Sequence, residues 1–442
     1  MYSKQIKEIT MKKTLLLSVV ASTMIMAGGD IAPVEPVVEA PAPAASGWEF
    51  AGQGVVYYQT MDGGTTDLFD QESSAADAGI QLKAANSDVI GGIGAGFAVN
   101  GLSTLNLENS VVSGVMQMTG EAGDMDDMTD GGWISEAFLT YGFGNTGIKA
   151  GRQTLPKSLS PFAFSETWNV FPNTYDAVTI VNTDITNTTI VGAWVAGNNV
   201  NSMMMSDLTD FNSLNNDDGL YMLTVQNKSI SDLTLTGTWY YGADFADGEN
   251  DINILWGDAQ YDADSFNVGV QGGQVSHDAF VDDINSFGAK IGATLGPVNA
   301  EVAYSTVNDG GALLAQPGSM TPMGFGAFNL GGTTSALYTT TILDQLGTSS
   351  VMNFDSDKFV VKGNMDALGG NISALYANTD TFGGDLTVDE FNLGYATNIT
   401  DNFGISATYA YFDADAELVV DGESMYAEGD SNLVRVIAHY NF

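Results

Sequence analysis

The chain has 442 residues, 13 Lys+Arg against 54 Asp+Glu, and a formal net charge of −41. That balance argues strongly against a nucleic-acid partner, because phosphate contacts need Lys and Arg. The absence of Cys excludes disulfides, thiolate metal sites and Cys nucleophiles. The two His, His277 and His439, leave little room for a His-ligated metal or a His-based relay, and a hydrophobic content of 44% argues against disorder.

Met11-Lys12-Lys13 precedes an apolar run from Leu15 to Ala21 and then small residues up to Ala27. A basic stretch, an apolar stretch and small residues in that order predict a secretory signal over residues 1–27, with Met11 as the start. The apolar stretch is too short for a membrane-spanning helix. Four Lys and one Glu lie within residues 1–27, so removal of that segment would leave nine basic and 53 acidic residues. Residues 28–46 contain four of the ten prolines, among Ala, Val and Glu. This composition predicts an extended periplasmic tether with no core of its own.

From residue 47 to the end the dominant signal is alternation at period two, broken by Gly, Asn and Asp turns. Trp133, Ser135, Ala137, Leu139, Tyr141 and Phe143 share one predicted face, as do Phe403, Ile405, Ala407, Tyr409 and Tyr411. The alternation predicts strands over 48–60, 76–100, 108–119, 131–143, 147–153, 175–182, 187–197, 219–228, 232–242, 250–261, 265–275, 284–295, 298–306, 357–367, 371–380, 388–399, 402–413 and 431–442. Short connections alternate with long ones at 198–218, 307–356 and 414–430. An all-β, transmembrane antiparallel barrel of about 18 strands follows, with 16 as the alternative. Such barrels have short turns at the periplasmic end and long external loops, and only closure satisfies every strand backbone group in lipid.

The last strand places Val434, Val436, Ala438, Tyr440 and Phe442 on one face. Tyr440 and the terminal Phe442 resemble the assembly signal of bacterial outer-membrane barrels. With the MKKTLLLSVVAS leader, the HYNF tail and the central Ile148-Lys149-Ala150-Gly151-Arg152-Gln153, the chain resembles the OprD-like porins of the Campylobacter-type major outer membrane protein group. The resemblance implies a third external loop, here Thr154–Thr174, folded into the lumen to narrow the pore. It also implies a homotrimer. The low basic content departs from porins that present a basic ladder to anionic substrates.

A pore selects by width and by the charges at its narrowest point. The constriction candidates are therefore Lys149, Arg152, Lys157, Glu166 and Asp176. Alternation points Glu136, Lys290, Glu301, Lys358, Lys362, Glu390 and Arg435 toward the lumen, because a charge facing lipid at mid-bilayer is costly. Arg152 shares parity with Ile148 and Ala150, which face lipid. Either a bulge at Gly151 resets the register or Arg152 lies beyond the membrane.

Other signals carry less. Gly92-Ile93-Gly94-Ala95-Gly96 lacks the last glycine of a dinucleotide loop and no helix follows it. His277-Asp278 has no accompanying G-x-S-x-G, so no enzyme activity is expected. Asp124, Asp126, Asp127 and Asp130 lack the order of an EF-hand loop and leave only a weak case for a divalent cation. No cofactor is expected.

The nine predicted external loops hold 30 of those 53 acidic residues in 157 positions and one basic residue, Lys157. The reading is an outer-membrane channel for passive diffusion of small hydrophilic solutes and ions, favouring cations through an acidic vestibule. Its partners would be lipid, lipopolysaccharide and the barrel assembly machinery. A substrate-specific channel is one alternative, and an acidic structural surface-layer protein is another.

Overall fold

The computed structural model describes residues 47–120, 130–203, 207–245, 251–277, 282–310, 329–348, 354–420 and 423–442. The predicted leader, the whole predicted tether (28–46) and Asp124, Asp126 and Asp127 lie outside these residues. Among the described residues, eighteen long strands form the wall. They are β1 (Glu49–Met61), β2 (Ser74–Ile90), β3 (Ile93–Ser103), β4 (Asp130–Phe143), β5 (Thr146–Gln153) and β6 (Tyr175–Asn182). Next come β7 (Thr188–Asn198), β8 (Leu220–Ile230), β9 (Leu233–Gly242), β10 (Ile252–Asp262), β11 (Phe266–His277) and β12 (Ile284–Leu295). The last are β13 (Val298–Val307), β14 (Ser356–Ala367), β15 (Gly370–Thr381), β16 (Leu386–Asn398), β17 (Phe403–Val420) and β18 (Glu423–Asn441). A two-residue segment, Asn212–Ser213, adds to the end of β7.

Each strand pairs antiparallel with the next, and β1 also pairs with β18 from Gln53↔Asn441 to Met61↔Leu433. The sheet is a closed barrel with no free edge. Phe442 completes the seam: its N–H donates to the Gly52 carbonyl (2.9 Å) and its carbonyl accepts from the Gly52 N–H (2.8 Å). A Cβ at Gly52 would press on the Phe442 ring, which would have to swing aside.

The solvent logic of the wall is inverted relative to a water-soluble barrel. Leu139, Tyr141, Leu255, Val270, Ile291, Phe359, Leu393 and Tyr440 point outward and are exposed. Gln81, Asn100, Gln153, Thr224, Thr238, Ser305, Asn392 and Thr408 point inward and are buried. Apolar outside and polar inside is the pattern of a barrel whose outer solvent is lipid.

Two strand assignments change. The stretch 76–100 is two strands, with Gly91-Gly92 turning between them at positive φ (60° and 84°). The stretch 108–119 is an irregular inward-folded segment, because its amides are taken by other partners. Met116 N and Gln117 N both donate to Asp77 Oδ2 (2.8 Å each). One strand is gained and one lost, so the number stays eighteen.

The face of β4 also differs. Ala98 pairs with Glu136 while the next residue, Val99, pairs with Ile134, so Ser135 is an extra residue in β4. This bulge turns Trp133, Ser135 and Glu136 inward while Ile134, Ala137 and Leu139 face out. The pattern from Trp133 to Phe143 does not lie on one face.

The two barrel ends are unlike. One end has turns of a few residues, such as Gly144-Asn145, Ser231-Asp232, Gly296-Pro297 and Leu368-Gly369. The other carries the long connections, several of which fold inward. In 154–174, Leu155, Phe162, Phe164, Trp168 and Phe171 are buried; in 329–348, Leu337, Ile342 and Asp344 are. Phe162 packs edge-to-face on Trp256 and on the wall residue Tyr240, at centroid distances of 5.3 and 5.9 Å. These packed contacts hold the loops as part of the interior.

Candidate functional site

The interior holds most of the basic residues of the body, set in three groups, and a fourth polar group is built on a carboxylate without a basic partner. The first is on β2, β4 and β5. Lys83 Nζ lies 3.0 Å from Glu136 Oε1, and Lys149 is the second cation acting on that carboxylate. Lys149 Nζ also stands 3.8 Å over the Phe138 ring. The Ser135 bulge is what brings Glu136 to these lysines, since it resets which β4 residues face in.

The second group is on β12, β13 and β14. Glu301 is shared between Lys362 (3.1 Å) and Lys290 (3.8 Å). Their side chains retain 12% to 19% exposure, so they meet water. Lys290 Nζ lies 4.7 Å from the ring centre of Tyr338, whose hydroxyl donates to Asp258. Burial and the neighbouring Asp258 carboxylate push the Tyr338 hydroxyl well above the usual phenol range.

The third group is dry. Lys358 and Asp344 form an ion pair of 2.7 Å with side-chain exposures of 1% and 0%. Asp344 belongs to the inward segment, and its Oδ2 also accepts from Thr341 N (2.8 Å). Beside it Glu390 accepts from Ile342 N (3.0 Å), Leu343 N (3.2 Å) and Asn392 Nδ2 (2.6 Å). Arg435 donates from Nε to Gln59 (2.9 Å) and from Nη1 to Gln345 (2.7 Å), between the rings of Tyr57 and Trp168.

The fourth group joins the two inward loops. Glu166, 3% exposed, accepts from Trp168 Nε1 (2.7 Å), Asn329 Nδ2 (3.2 Å), Thr333 N (3.2 Å), Thr334 N (2.8 Å) and Thr334 Oγ1 (2.6 Å). Asn329 is tied separately: it accepts from Phe164 N (2.9 Å) and donates to Phe164 O (2.7 Å).

Arg152 and Asp176 stand apart from all four. Gly151 pairs with Phe138 and Arg152 with Ala137 in unbroken register, so nothing resets parity there and Arg152 stays on the outward face. Its guanidinium binds Asp176 at two points (2.9 and 3.1 Å), donates to Ile134 O (3.0 Å) and stacks on Phe211 at 3.2 Å. The arrangement holds the loop root on the outside of the wall. Lys157 sits 5.2 Å over the Phe164 ring within the inward loop.

Near the long-loop end carboxylates crowd. Burial, then Asp309 and Asp357, push the Asp355 carboxyl above the usual range. Asp130 is exposed at the start of β4. Among the described residues no group of three or more metal-type ligands is present.

Sequence reasoning missed Lys83, Asp258, Tyr338, Asp344 and the whole inward segment 329–348. Lys83 was within reach, since it shares parity with the buried Gln81. The inward segment carries no period-two signal and gave nothing to read.

No family model matches the chain, and no curated protein matches it. Solved structures do. OccAB1 of Acinetobacter baumannii aligns with a TM-score of 0.64 at 13% identity, covering 89% of this chain and 96% of that one. This chain has the Occ barrel fold. OccK8 (OprE) of Pseudomonas aeruginosa gives 0.63 at 15% identity, over 89% and 98%. OccAB2 of A. baumannii gives 0.63 at 16% identity, over the same shares. The Occ-like fold agrees with the OprD-like resemblance in the leader, centre and tail.

Proposed function

We propose that this chain is an outer-membrane porin: a water-filled channel for passive diffusion of small hydrophilic solutes and ions, favouring cations. One observation carries the reading. A closed barrel with an apolar outer face encloses charged side chains that keep water contact, at Lys83, Lys290, Glu301 and Lys362. Buried charges serve packing as well as transport, but hydrated ones along a lumen are what a passing ion meets.

The cation preference rests on where charge goes unbalanced. Inside, lysines share carboxylates: Glu136 serves Lys83 and Lys149, and Glu301 serves Lys290 and Lys362. At the long-loop end, carboxylates such as Asp309, Asp355 and Asp357 stand close to one another. An acidic mouth concentrates cations before they reach a mixed-charge lumen. Reversal potentials across a salt gradient in planar bilayers test this, and clear anion preference overturns it.

The long loops would then face outward, where lipopolysaccharide is the neighbour, and the short turns the periplasm. Residues 1–27 would be the export signal, 28–46 the tether and 47–442 the barrel domain. The C-terminal strand would engage the assembly machinery, with Tyr440 and Phe442 as its stacked terminal aromatics (6.1 Å, 27°). A homotrimer fits the resemblance. A substrate-specific channel is the second reading, favoured by the Occ-like fold, and liposome swelling with a panel of solutes separates it from general diffusion. A surface-layer role predicts neither detergent extraction nor heat-modifiable migration, and both measurements are quick.

A further inference from the structure

The strongest unexplained construction in the interior is the seat of Glu166. Its carboxylate comes from the 154–174 loop, yet three of its five donors are backbone or hydroxyl groups of Thr333 and Thr334 in the second inward segment. The approach is built for closeness. A Cβ on Gly332 would overlap the Glu166 carboxylate, and one on Gly331 would overlap Asn173 and Tyr175. Only glycine at 332 lets the second loop wrap the carboxylate so tightly.

Beyond this seat, 333–348 continues across the lumen to Tyr338, which meets Asp258 and Lys290, and to Asp344, which meets Lys358. Before the seat, Asn329, besides its bond to Glu166, is held at Phe164 by two further bonds, and Leu330 N donates to Phe162 O (2.9 Å). Glu166 is therefore where the path of the second segment is turned from the first loop into the open lumen.

We propose that Glu166 is a positioning residue that sets the channel's aperture without touching solute: it locks the two inward loops into one unit and thereby places Tyr338 against the hydrated Lys290–Glu301–Lys362 group. A carboxylate accepts only, and five donors converge on it, so a neutral amide keeps one acceptor oxygen but turns an NH2 toward the remaining donors and loosens the seat. The anchors at Asn329 survive, and so does the wall, so the barrel still folds.

This inference rests on the channel reading, and the experiment separates the two. Purified wild type, Glu166→Gln, Glu166→Asp and Gly332→Ala are compared in planar bilayers, with heat-modifiable migration as the folding control. Gly332→Ala attacks the same contact from the opposite loop. The expected result is that Glu166→Gln and Gly332→Ala raise unit conductance by about twofold and add open-state noise. Glu166→Asp, which keeps the acceptor charge, falls between them and wild type. A folded wild type with no conductance would defeat the channel reading itself. Conducting, folded variants whose unit conductance and noise equal those of wild type would overturn the positioning role alone. An effect of Glu166→Gln without one of Gly332→Ala would also overturn it, because the inter-loop seat would then not be the cause.

Discussion

Lys358 and Lys362 leave the same face of β14, four residues apart, and meet different solvents. Lys358 lies under the second inward segment, sealed against Asp344. Lys362 stays in water and shares Glu301 with Lys290. Alternation treats the two as equivalent; the covering loop does not. Pointing into a barrel and lining its pore are separate properties, and the difference is decided by which loop lies on top.

That contrast can be broken first on its dry side. Asp344→Ala leaves the Lys358 ammonium buried without its carboxylate, a change that costs about 3–5 kcal/mol. Denaturant unfolding in detergent should show a loss of that order, whereas the apolar pair Asp344→Leu with Lys358→Met should recover most of it. If the single variant is as stable as wild type, the pair is wetter than its exposure indicates.

On the wet side, Glu301→Gln should behave in the opposite manner. The side chains of Glu301, Lys290 and Lys362 keep 12% to 19% exposure, so the loss of stability should be smaller than at the sealed Lys358–Asp344 pair. Selectivity should shift toward anions, because Lys290 and Lys362 lose the carboxylate they share. Reversal potentials read this directly, and an unchanged potential would remove the Glu301 group from the conducting path.

The pH dependence should be smaller and gradual. Protonating mouth carboxylates weakens the acidic field, and Asp355, whose carboxyl is raised by burial and its acidic neighbours, takes its proton at higher pH than an ordinary aspartate. Cation preference should therefore decline as pH falls, and Asp355→Asn should remove the earliest part of that decline. Selectivity flat with pH would locate the preference elsewhere.

The smallest effect is expected at Arg152. Its guanidinium faces outward and is committed to Asp176, Ile134 O and Phe211. Arg152→Ala should leave ion selectivity within error and lower stability by roughly 1 kcal/mol or less. A large selectivity change there would mean that the loop root reaches the pore after all.

Much of the wall was legible because it follows one period. Leu139, Tyr141 and Phe143 announce a lipid face, and Lys290, Glu301, Lys358 and Lys362 announce the inner one, since a charge is costly in lipid and a two-residue repeat leaves no third direction. The same rule misread Trp133 and Ser135, because one extra residue in β4 flips every side chain beyond it. It misread 108–119 as well, where apolar alternation packs against Asp77 and the inner loop without joining the sheet.

Local patterning specified the class: a barrel, lipid-facing outside, charged within, acidic in the long loops. Period-two patterning and composition are local quantities, and a barrel wall is built from local repeats. Long-range packing sets which inward charges stay wet, which are sealed, and that two loops separated by about 150 residues close on one carboxylate. Those facts depend on contacts between segments distant in the chain, made by irregular backbone whose partners no local pattern specifies. The charge of −41 is the clearest case. As a total it argues against nucleic-acid binding, and only the fold shows that Glu136 and Glu301 are shared between lysines inside while Asp309, Asp355 and Asp357 crowd one another near the long-loop end.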